Sequence, residues 1–346
     1  MSIIALAAAA VLGQASDATN VQISDFAGEI RIEQGESFAA RIERPDSEAP
    51  VSIDESGSGL IIDGGRDLRR WGCYGGWRET RVGRSRSSAR PFEELPLLII
   101  TSPDPVALAI EDSIVQGRTN NLASLDLGAR SCGDFEAGDI LGDANIGISG
   151  SMDVEAGHVG GEASVSVSGS GDIKLGDVTG SIDASFSGSG DFAAGSSAAT
   201  TVRTSGSSDV QLGDVAGELA LTISGSGDVE AGNVGELSAL TSGSGDVSVI
   251  SSGGLSVRST GSSHYELGSL NGPLSVELTG SGDLEIDAGR ADIFTVSTGG
   301  SGGVSFGGIA GEADVRIRGS GDVRVNRVEG SQRVRATGSG DFRVSN

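Results

Sequence analysis

The pentapeptide SGSGD stands at residues 168–172, 187–191, 224–228 and 242–246, and near copies continue to the end of the chain. With its Asp as reference, the equivalent positions are Asp134, Asp153, Asp172, Asp191, Asp209, Asp228, Asp246, His264, Asp283, Gly303, Asp322 and Asp341, at intervals of 18–20 residues. A dozen copies on so regular a period exclude an ordinary globular core. They require a solenoid, in which each unit buries its apolar face only against its neighbours.

The pattern inside one unit identifies the kind of solenoid. The residue after the reference position is apolar in every copy, from Phe135 and Val154 to Val323 and Phe342, and so is the residue three steps on. The residue between them is mostly polar, as in Glu136, Glu155, Glu230, Glu266 and Glu285. Alternation with period two is a strand signature, and no apolar stripe at the helical period competes with it. A Gly-rich corner and two further short apolar runs complete the unit. Three short strands per unit make one coil of a right-handed parallel β-helix, about 19 residues per coil. Coils stack about 4.8 Å apart, so the repeats predict a rod roughly 55–60 Å long. In the corner itself Gly precedes the reference position by three residues, and Ser by two, in nearly every copy. Ser and Asp side chains there can hold the turn by bonding nearby backbone N–H groups.

Upstream of the repeats the chain reads differently. Residues 3–12 are an apolar run ending in GQAS, which reads as a secretory signal over residues 1–15. It lacks the Lys or Arg that usually opens one, and a short buried element is the alternative. Residues 16–100 read as an N-terminal β segment that caps the solenoid, and residues 101–346 as the solenoid itself. Within the cap, residues 66–90 hold eight Arg against two acids and both tryptophans. Arg69, Arg70, Trp71, Tyr74, Trp77 and Arg78 are the candidate partner contacts, because Arg forks suit carboxylates and phosphates and Trp faces suit sugars or cations. The alternative is that these Arg pair with the chain's own acids and pin the cap.

Cys73 and Cys132 are the only cysteines. An even count in an exported chain favours a disulfide. Cys132 occupies the Ser column of the first clear repeat, where a cap loop carrying Cys73 can be tied; two free buried thiols are the alternative.

The recurring GSGD corners, preceded by a β-rich segment of the type VQISDFAGEIRIEQG, resemble the auto-transporter adhesin, head GIN domain family over about residues 18–346. The resemblance implies an exported or cell-envelope β-helix protein and carries no established catalytic residues. The Arg/Trp insert at 66–90 departs from what the resemblance explains.

Composition narrows the partners. A net charge of −24 opposes nucleic acid. No segment has the run of about 20 apolar residues that spans a bilayer. GVSFG at 303–307 matches a nucleophile-elbow pattern, but Ser305 is the outward residue of a repeat strand and the two histidines, His158 and His264, are far apart in coil number. Stacked Glu136 and Glu155, or Glu266 and Glu285, approach the ~5–5.5 Å separation used by retaining glycosidases, a spacing any outward column acquires by stacking. The Asp column reads as satisfied by backbone donors, with cation binding as the alternative; no cofactor is expected. The chain therefore reads as a non-enzymatic exported β-helix, periplasmic, outer-membrane-associated or extracellular, serving adhesion or envelope contacts. An anionic envelope glycan, a lipid head group or an acidic protein surface is the expected partner. Residues 312–346, with seven Arg against five acids, add end-to-end self-association as an option. A polysaccharide-active β-helix enzyme and a self-assembling structural rod are the alternatives.

Overall fold

The computed structural model describes residues 18–46, 50–56, 59–76 and 79–345. The expected signal at 1–15 lies outside these residues, as do Trp77 and Arg78. The fold is a parallel β-solenoid of about 13 turns with about 19 residues per turn, as the sequence period requires.

A representative turn starts with the long strand Ala163–Gly169, rounds the corner at 170–172 and continues as the short strand Ile173–Leu175. The third strand is reduced here to Val178, a single residue bridging to Val159. Gly176 and Gly180 bracket it and leave room for one inward side chain. Further along the same chain path is continuous strand, as in Val229–Thr241.

Register is strict because inward residues must meet inward residues. Val165 pairs with Ala184, Ala184 with Val202 and Val202 with Leu221, while Ile173, Phe192, Val210 and Val229 form a second inward file. Each such side chain is almost fully buried, which contributes roughly 1.5–3 kcal/mol for a Val, Ile or Phe. Phe186 and Phe192 pack with ring centroids 5.4 Å apart, and Phe294 and Phe306 with centroids 5.7 Å apart. Among the polar groups threaded into this core is a cluster at Tyr265. The Tyr265 hydroxyl meets Thr241 Oγ1, which donates to Ser259 Oγ at 3.0 Å, and burial pushes the phenol pKa up.

The Gly column follows from the same stacking. A Cβ placed on Gly225 would lie 1.8 Å from the carbonyl oxygen of Gly206 in the preceding turn. The neighbouring backbone fills that space, so no side chain fits.

The N-terminal end departs from simple succession. Strand Asn20–Ser24 is paired in parallel on one side with Gly59–Asp63 and on the other with the start of Val106–Thr119. Strand Ala27–Gln34 is likewise flanked by Leu97–Ser102 and by the end of Val106–Thr119. The turn at 20–34 is thus the second in the stack, and the later residues 59–63 and 97–102 form the outermost one. Outside that, Ala39–Ile42 and Ser52–Ser56 pair antiparallel with Leu97–Ser102 and Gly59–Asp63. Residues 66–90 contribute a separate antiparallel sheet, Gly72–Gly76, Glu79–Gly83 and Arg90–Pro91, preceded by a 3₁₀ turn at Leu68–Arg70.

Candidate functional site

The short-strand face bears the outward Asp and Glu columns. Its shape is a groove of about 710 Å³ whose lining includes Asp134, Asp153, Asp172, Asp191, Asp209 and Asp228. A second hollow of about 520 Å³ shares Asp134 and Glu136 with it and extends it toward the N-terminal turns.

The Asp column is a backbone ladder. Asp153 Oδ1 accepts the N–H of Asp172 at 2.9 Å, and Asp172 Oδ1 accepts the N–H of Asp191 at 2.9 Å. The relay continues through Asp209, Asp228 and Asp246 to the N–H of His264 at 2.8 Å. His264 and Gly303 receive this bond as well as any residue, because only an N–H is needed. Neither carries a carboxylate to pass it on, so each ends a run of the relay. At Asp153 burial pushes the carboxyl pKa up; the Asp172 N–H opposes this and the charges of Asp172 and Asp134 add to it. At Asp322 the N–H of Asp341 pulls the pKa down, helped by Arg324 and Arg343.

A second ladder occupies the next corner. Asn121 Oδ1 accepts the Asp139 N–H, Asp139 the His158 N–H, Asp177 the Ser196 N–H and Asp214 the Asn233 N–H, all within 2.7–3.0 Å. Sequence reading missed it, although the signal is present as a Gly followed by Asp at residues 138–139, 176–177 and 213–214, once per pair of turns or so.

Two of the outward Glu residues are tied to cations: Glu136 pairs with Arg118, and Glu155 with Lys174 at 2.7 Å. Ser305 lies in the same file, between Glu285 and Arg324. Among the described residues, a hydroxyl meets a histidine at Thr179 Oγ1, 3.2 Å from His158 Nε2, with both residues exposed.

The insert is fastened to the rod in three ways. Arg66 and Arg90 both pair with Asp46, and the Arg66 and Asp46 side chains retain 9% and 6% of their exposure. Leu68, Val82, Phe92 and Leu95 form a small separate core with Ala27, Ile114 and Cys132 of the solenoid. Cys73 and Cys132 are joined, with Cα atoms 6.2 Å apart, and Cys132 is in register with Ser151.

The expected contact residues separate accordingly. Arg69 and Arg70 are exposed on the 3₁₀ turn. Trp71 is half-buried with the Arg66 guanidinium 4.9 Å from its ring centroid, and its buried Nε1 has no partner among the described residues. Tyr74 is half-buried in the sheet. Asp46, which receives two of the Arg, gave no signal in the sequence because it lies outside both the repeat and the insert.

An uninterrupted parallel solenoid with backbone-capping Asp corners and a tethered basic side sheet is the class of protein that these features define. The family profile described as "Putative auto-transporter adhesin, head GIN domain" matches residues 142–253 and 233–346, and the chain belongs to that family. Comparison with curated proteins and with solved structures gives no match. Among the described residues, no helix is long and apolar enough to cross a membrane.

Proposed function

We propose that the protein is an exported, non-enzymatic rod that presents a long, repetitive surface for adhesion or for contacts within the cell envelope. The observation that carries this reading is the ladder. Carboxylates in successive turns of the groove are committed to backbone N–H groups of the next turn. Most ionisable groups of the groove thus serve the rod, and what each turn offers outward resembles what its neighbours offer. Repetition of that kind suits many weak, equivalent contacts rather than one reaction. The polysaccharide-cleaving reading would draw on Glu136 and Glu155, both held by cations, or on Glu266 and Glu285, which stand in register one turn apart as any outward column does. Family membership and the joined cysteines support the exported placement. The partner is an anionic glycan, lipid head group or acidic protein surface, which the Arg surplus in the insert suits.

The test is a screen of the purified chain against glycans and isolated envelope fractions, with fractionation of cells producing it. Recovery in the envelope or medium and saturable binding to an envelope component are expected. A wholly cytoplasmic protein, or turnover of a polysaccharide by the purified chain, would overturn the reading.

A further inference from the structure

Ion pairing divides the cations of this chain unevenly. Outside residues 66–90 and 312–346, every described Arg and the one Lys has a carboxylate partner. Within the insert, Arg66 and Arg90 are consumed by Asp46, and Arg81 donates to the Ala89 carbonyl at 3.0 Å. Arg69, Arg70, Arg84 and Arg86 are exposed and have no ion-pair partner among the described residues. Arg69 faces Asp25, whose carboxyl pKa is pushed up by burial and by the charges of Asp63, Asp112 and Asp67, with Arg69 opposing. That leaves Arg70, Arg84 and Arg86.

The antiparallel register brings these three together. Gly72 pairs with Gly83, so the residues just before the first strand and just after the second stand at the same end of the side sheet. The turn that carries Arg84 and Arg86 is internally fixed. The Ser85 N–H donates to Ser88 Oγ at 3.2 Å, the Ser88 N–H donates to the Ser85 carbonyl at 3.1 Å, and the two hydroxyls lie 2.8 Å apart. A fixed turn lowers the ordering cost of a contact.

We infer that this end of the side sheet is a binding surface for an acidic polysaccharide; the inference rests on the reading of the protein as an envelope-contact module and names the chemistry of its partner. Guanidinium forks match carboxylate or sulfate groups, and the exposed Ser85, Ser87 and Ser88 beside them match sugar hydroxyls. No large apolar side chain is exposed among the described residues of the insert, which favours a polysaccharide over a bilayer as its partner. The chain as a whole carries a net charge of −24 and repels polyanions, but that field is screened within about 8 Å at physiological salt. The contact is therefore local and salt-sensitive.

The test compares the full chain with R84E/R86E and with R318E/R335E, which removes the same charge from two other Arg that lack ion pairs. Probes are polygalacturonate, heparin, neutral dextran, and vesicles of phosphatidylcholine with and without phosphatidylglycerol. Binding to at least one acidic polysaccharide, none to dextran, and a loss of tenfold or more in R84E/R86E alone is the expected result. R84Q/R86Q serves if the reversal fails to fold. Absence of binding to both acidic polysaccharides, equal loss in the two double variants, unchanged binding in R84E/R86E, or preference for anionic vesicles would overturn the assignment. Retention of envelope-fraction binding by R84E/R86E overturns this surface while leaving the module reading intact.

Discussion

Replacing Asp228 separates the two things a ladder carboxylate does. Its Oδ1 accepts the N–H of Asp246 at 2.9 Å, and its own N–H is bound by Asp209 at 3.0 Å. Its charge stands one turn from those of Asp209 and Asp246, about 4.8 Å away on each side. Each neighbour repels it by roughly 0.9 kcal/mol at bulk-water dielectric, and screening at physiological salt leaves about half of that. The two repulsions together therefore cost about 1 kcal/mol. A hydrogen bond to a charged acceptor contributes about 1.5–3 kcal/mol, and to a neutral one about 0.5–1.5. Asp228→Asn loses the repulsion and weakens the bond, and should leave stability near that of the wild type. Asp228→Ala loses the repulsion and the bond together, and should fall about 1 kcal/mol below Asn. Urea unfolding followed by circular dichroism at 20 mM and at 500 mM salt gives the comparison. The Asn–Ala gap should persist at both salts, while Asn should gain on the wild type only at low salt. Equal midpoints for Asn and Ala would refute the role of the carboxylate as an acceptor.

The remaining expectations follow from the same geometry. Cys73→Ser/Cys132→Ser should lower stability by up to about 4 kcal/mol on the loop-entropy relation for a separation of 59 residues, read as a drop in melting temperature. Two titratable thiols in unreduced, denatured protein would contradict the bond itself. Gly225→Ala, which sets a Cβ 1.8 Å from the Gly206 oxygen, should cost about 1–3 kcal/mol or more, whereas Ser226→Ala on the exposed side of the same corner should stay within about 0.5 kcal/mol. Phe186→Ala, at 2% exposure against Phe192, should cost about 3–5 kcal/mol by chemical denaturation. Asp153 has a raised carboxyl pKa in the folded state, so its stabilising contribution is full below the ordinary carboxylate value and is lost as pH rises through the raised one. Asp153→Asn should remove that step from the stability–pH curve, and an unchanged curve would assign the step elsewhere.

Much of the architecture was legible because a solenoid repeats its instructions. The apolar columns of Phe135, Val154 and Ile173 read from the period are the columns that stack, and the Cys132–Ser151 register is the one the spacing implied. The corner Gly column was visible, but its cause, contact with the backbone of the preceding turn, needed the stacked coordinates. Alternation could not give the order of the first turns. Segments 20–24, 59–63 and 107–111 carry the same in–out pattern, so any of them fits against any other, and pairing is decided by the connections between them. The insert was legible as a basic stretch and no further. Which Arg are spent internally depends on Asp46, some 20 residues from Arg66 and 44 from Arg90. Nothing in the sequence sets Arg84 and Arg86 apart from their neighbours, although they are among the cations left without an ion pair among the described residues.

The placement of the turn at 20–34 between two later segments also governs how the rod bears load. In a simple stack, tension on an end turn peels it from one neighbour, breaking one file of hydrogen bonds at a time. Here the segment 20–34 is bonded along both edges, to 59–63 and 97–102 on the outer side and to 106–119 on the inner. A pull transmitted through the chain before Asn20 must therefore slide a strand out from between two others, with both files loaded in parallel. The segment that covers the outer turn is further bolted to the insert through Asp46, and the insert through the cysteine pair to Cys132, one turn beyond 106–119. Force entering at this end is thus spread over several turns before any single one can yield, which makes the N-terminal end a mechanical clamp.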